Sequence, residues 1–172
     1  MNGEIINRVA LSPLVTFDLA EYYDDAPRVT FDLKDQLFQG MILREKDFRA
    51  FLKEHDWSQY TGQHIHLMCS VEAIVPGWAW MLLGVHLEPY AKTLVFGNRD
   101  DLEKEIWRGV LDRIDYDALT QKKIVVKGCG DIEIPQATYV ELIRRLRPIA
   151  DKLMYGEPCS TVPLYKKPKP RT

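Results

Sequence analysis

The sequence predicts an α/β protein in which a single domain, residues 1–172, is built on one mixed β-sheet with helices packed on it. Three observations support this prediction: a strand-like pentapeptide occurs twice near the N-terminus, strand and helix patterns alternate after residue 60, and one helix-containing segment is repeated later in the chain. Such alternation is typical of parallel β-α-β units with right-handed crossovers. With 46% hydrophobic and 28% charged residues, the chain can bury a core of that kind.

Residues 1–60 are predicted to form a pair of strands and a helix. Val-Thr-Phe-Asp-Leu occurs at residues 15–19 and again at 29–33, and its alternating, β-branched character favours strands. Turn-forming residues at 21–27 separate the two copies, so we expect the strands to pair antiparallel. Apolar residues at helical spacing among charges in residues 44–56 then indicate an amphipathic helix.

The clearest long-range feature is an ungapped repeat of residues 76–97 at residues 135–156, in which seven of 22 aligned positions are identical. In each copy the pattern predicts a helix that begins near a proline, then a strand that ends at a glycine. Residues 61–98 and 122–165 are therefore predicted to be two equivalent β-α-β units. A helix within residues 99–121 connects them, and residues 166–172 have the composition of a basic, solvated tail.

The helices of the two copies differ in polarity. Residues 77–85 are apolar on every side, whereas the second copy has charged residues along one side. We expect the first helix to be covered all round, either by the rest of the fold or by a second copy in a homodimer. Trp78, Trp80, Met81 and Leu83 are therefore expected to lie out of solvent.

Charge and segment composition limit the function. The net charge is −2, which removes the general electrostatic case for binding nucleic acid or an anionic membrane. Residues 1–15 do not form the apolar segment of a signal peptide, and the longest uncharged run is too short for a membrane span. We therefore expect a cytoplasmic protein.

The three cysteines are the predicted metal-binding residues. Cys69, Cys129 and Cys159 each follow a predicted strand, and sites in open α/β sheets form outside the carboxyl ends of the strands. If one sheet presents all three sulfurs, they could bind zinc or an iron–sulfur cluster. The alternative is that the cysteines are purely structural and that no cofactor binds.

The glycines beside Cys129 and the histidines are weaker candidates for a functional site than the cysteines. Gly128 and Gly130 flank Cys129 in a tight turn, and Asp131 follows, but the sequence places no histidine to activate a nucleophilic thiol. His64 and His66 share one face of a strand and could bind metal, although polar groups at the edge of the core are the commoner use. We predict no catalytic residue, and a role other than catalysis is favoured.

Five segments of the chain resemble the bacterial family known as domain of unknown function 2480. They are residues 29–51, 55–60, 76–82, 126–129 and 153–166, the last with the sequence LMYGEPCSTVPLYK. The family has no established activity, so no catalytic residue transfers. Because its members tend to be encoded beside the machinery for iron–sulfur assembly, the resemblance implies an accessory role in iron–sulfur cluster or sulfur traffic, with assembly proteins as partners. The alternative is a non-catalytic regulatory or protein-interaction module.

Overall fold

The structure is a computed structural model and describes residues 14–127, 130, 132–157 and 160–168. The strands and helices of these residues follow one another along the chain in this order: β1 (Leu14–Phe17), β2 (Arg28–Asp32), α1 (Glu45–Glu54), β3 (His64–Met68), α2 (Gly77–Leu87), β4 (Thr93–Phe96), α3 (Arg99–Asp112), β5 (Lys123–Val126), α4 (Gln136–Leu146), β6 (Lys152–Glu157) and β7 (Ser160–Lys166). The fold class is therefore α/β, as predicted.

The chain divides into two compact units, each with its own sheet. Unit 1 comprises residues 1–23 and 110–172, and unit 2 comprises residues 24–109. The sheet of unit 1 has the strand order β1-β5-β6-β7, and that of unit 2 has the order β2-β3-β4. The prediction of one mixed sheet is wrong, because only the sheet of unit 1 is mixed and the strands are shared between two sheets. That residues 1–172 form a single domain stays a prediction.

The two copies of the pentapeptide begin different sheets. β1 pairs in parallel with β5, and β2 pairs in parallel with β3, so the predicted antiparallel pair is wrong. The physical reason lies at the end of each strand. Asp18 accepts a hydrogen bond from the Ala20 amide at 2.9 Å, and Asp32 accepts one from the Lys34 amide at 3.0 Å. Each aspartate thereby caps a short 3-10 helix, and the helix capped by Asp18 lies between β1 and β2 where a hairpin turn was expected.

The prediction of two equivalent β-α-β units is confirmed. β3 and β4 are parallel and joined by α2, while β5 and β6 are parallel and joined by α4. The loop after each helix closes in the same way. The Ala91 amide donates to Leu87 O at 2.8 Å, and the Ala150 amide donates to Leu146 O at 2.9 Å. The identical residues of the sequence repeat therefore occupy equivalent structural positions.

Strand β7 distinguishes unit 1 from unit 2. It pairs antiparallel with β6, with Glu157 opposite Ser160. The sequence assigned these residues to the end of the second β-α-β unit and to the start of the tail, so the strand was not predicted. Strand β4 is the counterpart of β6 and lies at the edge of its sheet, since the order in unit 2 is β2-β3-β4.

Helix α2 is covered on one side only. Leu83 is fully buried in the core of unit 2, as expected, and Trp78 and Trp80 are half-buried. Met81 is 73% exposed and Val85 is 69% exposed in the single chain, so the fold itself does not cover this side of the helix, and cover by a second copy stays a prediction. An apolar sequence does not by itself say whether both sides of a helix are covered. No helix of the described residues combines the length and the apolar character that crossing a membrane requires.

Candidate functional site

The three predicted metal ligands follow strands that belong to two different sheets. Cys69 follows β3 in unit 2, is half-buried, and donates a hydrogen bond from Sγ to Val71 O at 3.4 Å. Cys129 follows β5 and Cys159 follows β6, both in unit 1, but these two residues lie outside the described residues, as do Gly128 and Asp131. The strands that precede the three cysteines therefore belong to two sheets and not, as predicted, to one. Metal binding by the cysteines stays a prediction.

The carboxyl end of the unit 1 sheet brings together charged residues from three strands. β1, β5 and β6 are parallel, so their chains all leave the sheet at the same edge. Directly after β1 and β5, the Lys127 ammonium donates to Asp18 Oδ2 at 2.8 Å. This hydrogen bond lowers the pKa of Asp18 and raises the pKa of Lys127. Both groups are therefore charged at neutral pH.

The charge balance at this edge is negative. The negative charges of Glu157, at the end of β6, and of Glu21 also raise the pKa of Lys127. Three carboxylates thus act on one ammonium group. We call Asp18, Glu21, Lys127 and Glu157 the acidic edge, and we note that it adjoins the segments that contain Cys129 and Cys159.

A cavity of about 210 Å³ lies within unit 1 among residues of α4, β5, β6 and β7. Its buried lining residues are Val126 and Leu142, and its more exposed ones are Gln136, Tyr155 and Leu164. Tyr139 and Ile143, both half-buried, are the other described residues of the lining. The rings of Tyr139 and Tyr155 meet edge to face, with centroids 5.9 Å apart and planes inclined at 84°. The cavity is therefore mainly apolar, with one amide side chain in its exposed part.

The carboxyl end of the unit 2 sheet holds a different set of groups. Asp32 accepts hydrogen bonds from the Ser70 amide at 3.1 Å and from the Lys34 amide at 3.0 Å. Burial alone would raise the pKa of Asp32, but the hydrogen bonds from Ser70 and Lys34 outweigh it, and the pKa lies below its usual range. The half-buried Asp32 carboxylate thus fixes the start of the loop after Cys69.

His66 is a polar residue of unit 2 whose two ring nitrogens both have hydrogen-bond partners. It is buried, its Nε2 lies 2.8 Å from Thr30 Oγ1, and its Nδ1 lies 3.1 Å from Gly97 O. Because a carbonyl oxygen only accepts, Nδ1 donates the proton to Gly97. Both ring nitrogens are thus engaged in holding three neighbouring segments together, which agrees with the structural interpretation of this histidine.

His64 is buried beside a carboxylate at the other end of the same strand. Its Nε2 lies 3.3 Å from Asp24 Oδ1, although neither ring nitrogen meets strict hydrogen-bond geometry with a described residue. Burial lowers the pKa of His64, the Asp24 carboxylate opposes this, and Arg28 and Lys92 add to the lowering. Burial would raise the pKa of Asp24, but hydrogen bonds, chiefly from Lys92, lower it to about 2. Among the described residues, no group of three or more His, Cys, Asp or Glu side chains is placed to bind a metal ion.

Neither the Asp18–Lys127 pair nor the cavity was predicted from the sequence. The aspartate was visible as the fourth residue of the repeated pentapeptide, a position that it shares with Asp32. The repeat also aligns Tyr139 and Tyr155 with Trp80 and Phe96, whose rings meet in unit 2 at a centroid distance of 4.8 Å. The cavity itself depends on β7, which the sequence pattern did not reveal.

These features define a class of protein: an α/β protein with an internal β-α-β repeat and charged groups at the carboxyl end of one parallel sheet. The chain belongs to the family described as protein of unknown function (DUF2480), whose model matches residues 3–167. The resemblance found in the sequence is thereby confirmed. No curated protein and no solved structure matches the chain.

Proposed function

We propose that this chain is a cytoplasmic accessory protein of iron–sulfur or sulfur traffic, in which Cys129 and Cys159 bind a thiophilic metal ion as cargo. The observation that most supports this proposal is the adjacency of β5 and β6 in one parallel sheet. Cys129 comes three residues after the end of β5, and Cys159 comes two residues after the end of β6. Neighbouring strands lie about 4.8 Å apart, a distance that two thiolates on a common ion can span.

The acidic edge favours a cation over an anionic sulfur donor. The carboxylates of Asp18, Glu21 and Glu157 outnumber the Lys127 ammonium, so the local field attracts positive ions. The same field disfavours a free thiolate, whereas a bound metal ion removes the thiol proton outright. Zinc and ferrous iron are the ions whose thiolate chemistry fits a pair of cysteines.

Cobalt(II), a spectroscopic substitute for zinc and iron, tests this proposal. Protein purified without oxygen is titrated with cobalt(II), and thiolate coordination is followed by charge-transfer absorption in the near ultraviolet. We expect stoichiometric absorption for the unaltered protein and its loss in Cys129→Ser and Cys159→Ser. Cys69→Ser is the matched control, because Cys69 follows the equivalent strand of unit 2, and we expect it to retain the full signal.

Two results would overturn the metal proposal. The first is absence of thiolate absorption in reduced, folded protein at saturating cobalt(II). The second is a signal that persists in the double variant Cys129→Ser/Cys159→Ser. Far-ultraviolet circular dichroism on each variant separates loss of the site from loss of the fold.

A second candidate function is a protein-interaction module, and the exposed side of α2 supports it. Met81 is 73% exposed, and the repeat places Arg144 of α4 at the position of Val85 in α2. The same fold therefore accepts charge at this position, so apolar residues there are not a requirement of the fold. We propose that this side associates with a second copy of the chain, since an uncharged face meets itself without charge repulsion.

Sedimentation equilibrium tests the homodimer. We expect a dimer that Met81→Glu dissociates, because the substitution would place a charge within the apolar contact. Val140→Glu is the matched control, since Val140 occupies the equivalent position of α4 and is 65% exposed. A monomer at every concentration, or equal dissociation by both variants, would contradict the homodimer.

A further inference from the structure

We infer that the cavity of unit 1 binds a small, uncharged aromatic molecule with one hydrogen-bonding substituent. This inference goes beyond the proposed metal site, because it rests on lining residues that the structure describes and none of these is a cysteine. The volume of about 210 Å³ sets the ligand's size. An apolar protein cavity of about 150 Å³ is large enough to hold benzene, so a substituted single ring fits this one.

The composition of the lining sets the polarity of the ligand. Val126, Leu142, Ile143 and Leu164 are aliphatic, and none of the described lining residues is Asp, Glu, Lys or Arg. A charged group placed among them would lose its hydration without gaining a counter-ion. The part of the ligand inside the cavity is therefore uncharged.

Two features favour an aromatic ring that has one polar substituent. Tyr139 and Tyr155 present their rings at 84° to each other, so a third ring can meet the edge of one and the face of the other. Gln136, an exposed residue of the lining, offers both a donor and an acceptor in its amide. A phenol or a benzyl alcohol would place its ring between the aliphatic residues and the tyrosines, with the hydroxyl at Gln136.

The internal repeat shows how the same place is arranged in unit 2. Trp80 aligns with Tyr139 and Phe96 aligns with Tyr155, and the ring centroids of that pair are 4.8 Å apart rather than 5.9 Å. Leu164 belongs to β7, which follows β6 in unit 1, whereas α3 follows β4 in unit 2. Replacing Tyr139 by the larger tryptophan of unit 2 is therefore a natural way to fill the cavity.

The probe for this inference is 4-methylphenol, titrated into the full chain while amide chemical shifts are recorded by nuclear magnetic resonance. We expect saturable shifts confined to unit 1, with a dissociation constant on the order of 1 mM for a ligand of this size. Tyr139→Trp is expected to weaken binding about tenfold or more, because the larger ring occupies the ligand's space. Trp80→Tyr, the reverse exchange in unit 2, is the matched control and is expected to leave the dissociation constant unchanged.

Further variants keep the inference falsifiable. If Tyr139→Trp does not fold, Leu164→Trp fills the same cavity from an exposed position on β7. Gln136→Leu is expected to weaken binding of 4-methylphenol but not of toluene, which lacks the hydroxyl. Cys129→Ser/Cys159→Ser is expected to bind 4-methylphenol normally, so failure of the metal proposal and failure of this one are distinguishable. Absence of saturable shifts at about 10 mM probe, or equal binding by the filled variants, would overturn the inference.

Discussion

Leu83→Ala and Leu142→Ala are matched substitutions at equivalent positions of the two units, yet we expect them to lower the free energy of unfolding by different amounts. Both leucines are fully buried, and the repeat aligns them. Leu83 belongs to the enclosed core of unit 2, whereas Leu142 lines the cavity of unit 1. The space left by truncation is therefore closed in unit 2 and opens into an existing cavity in unit 1.

The expected magnitudes follow from this difference. Removing three carbons of a buried leucine costs about 2 kcal/mol in lost transfer free energy, and residual cavity adds about 24 cal/mol per Å³. For Leu83, a residual cavity on the order of 80 Å³ adds about 2 kcal/mol, so we expect Leu83→Ala to cost about 4 kcal/mol. For Leu142, water can enter the enlarged space, and we expect a cost of about 2 to 3 kcal/mol.

Urea unfolding measures both costs with two probes. All four tryptophans lie in residues 57–107, so their fluorescence reports on unit 2, whereas circular dichroism reports on the whole chain. We expect Leu83→Ala to shift the fluorescence transition strongly. Equal costs for the two variants, or a larger cost for Leu142→Ala, would refute the argument that the cavity of unit 1 relieves the substitution.

Three further predictions concern charged groups. Asp18→Ala should lower the free energy of unfolding by about 1 kcal/mol. The loss should exceed that of Lys127→Ala, because Asp18→Ala also removes the cap of a 3-10 helix. Urea midpoints that rank the two variants the other way would contradict this. Arg28→Met should lower the free energy of unfolding by about 3 kcal/mol, because it leaves the Glu103 carboxylate without its buried partner. A loss measured by urea unfolding that lies within error of zero would contradict this prediction. His64 should destabilise the protein in acid, because its pKa is lower in the folded state than in the unfolded chain. As the pH falls, the unfolded chain therefore takes up the proton first. The stability that is present above about pH 6.5 is lost as the pH falls below it. Urea midpoints between about pH 7.5 and about pH 5.5 should therefore fall less in His64→Asn than in the unaltered protein, and equal slopes would contradict the prediction.

Local sequence patterns predicted which segments form strands and helices better than they predicted which strands pair. The repeated pentapeptide correctly indicated two strands, and the repeat at residues 135–156 correctly indicated a second β-α-β unit. The pairing of the first two strands was wrong because each joins a strand from its own unit, and for β1 that partner lies far along the chain. Periodicity describes neighbours in sequence, and it says little about which strand lies beside another in space.

For the candidate site, too, the local sequence indicated the elements but not how they are arranged. Sequence located the cysteines at strand ends, and the assignment of β5 and β6 as neighbours agrees with grouping Cys129 and Cys159. It did not indicate that Cys69 follows a strand of a different sheet, because that depends on the chain forming two sheets. The exposure of Met81 was equally hidden, since an apolar helix has the same sequence whether one side or both sides are covered.

The most direct test of the central proposal is cross-linking of the thiols with dibromobimane, which joins sulfurs separated by roughly the spacing of neighbouring strands, about 4.8 Å. Cross-linked peptides are identified by mass spectrometry after digestion of the native protein. We predict a bridge between Cys129 and Cys159 in the native protein, its loss in urea, and only single modification of Cys69. A bridge that includes Cys69, or single modification of Cys129 and Cys159 in the native state, would contradict the paired thiol site.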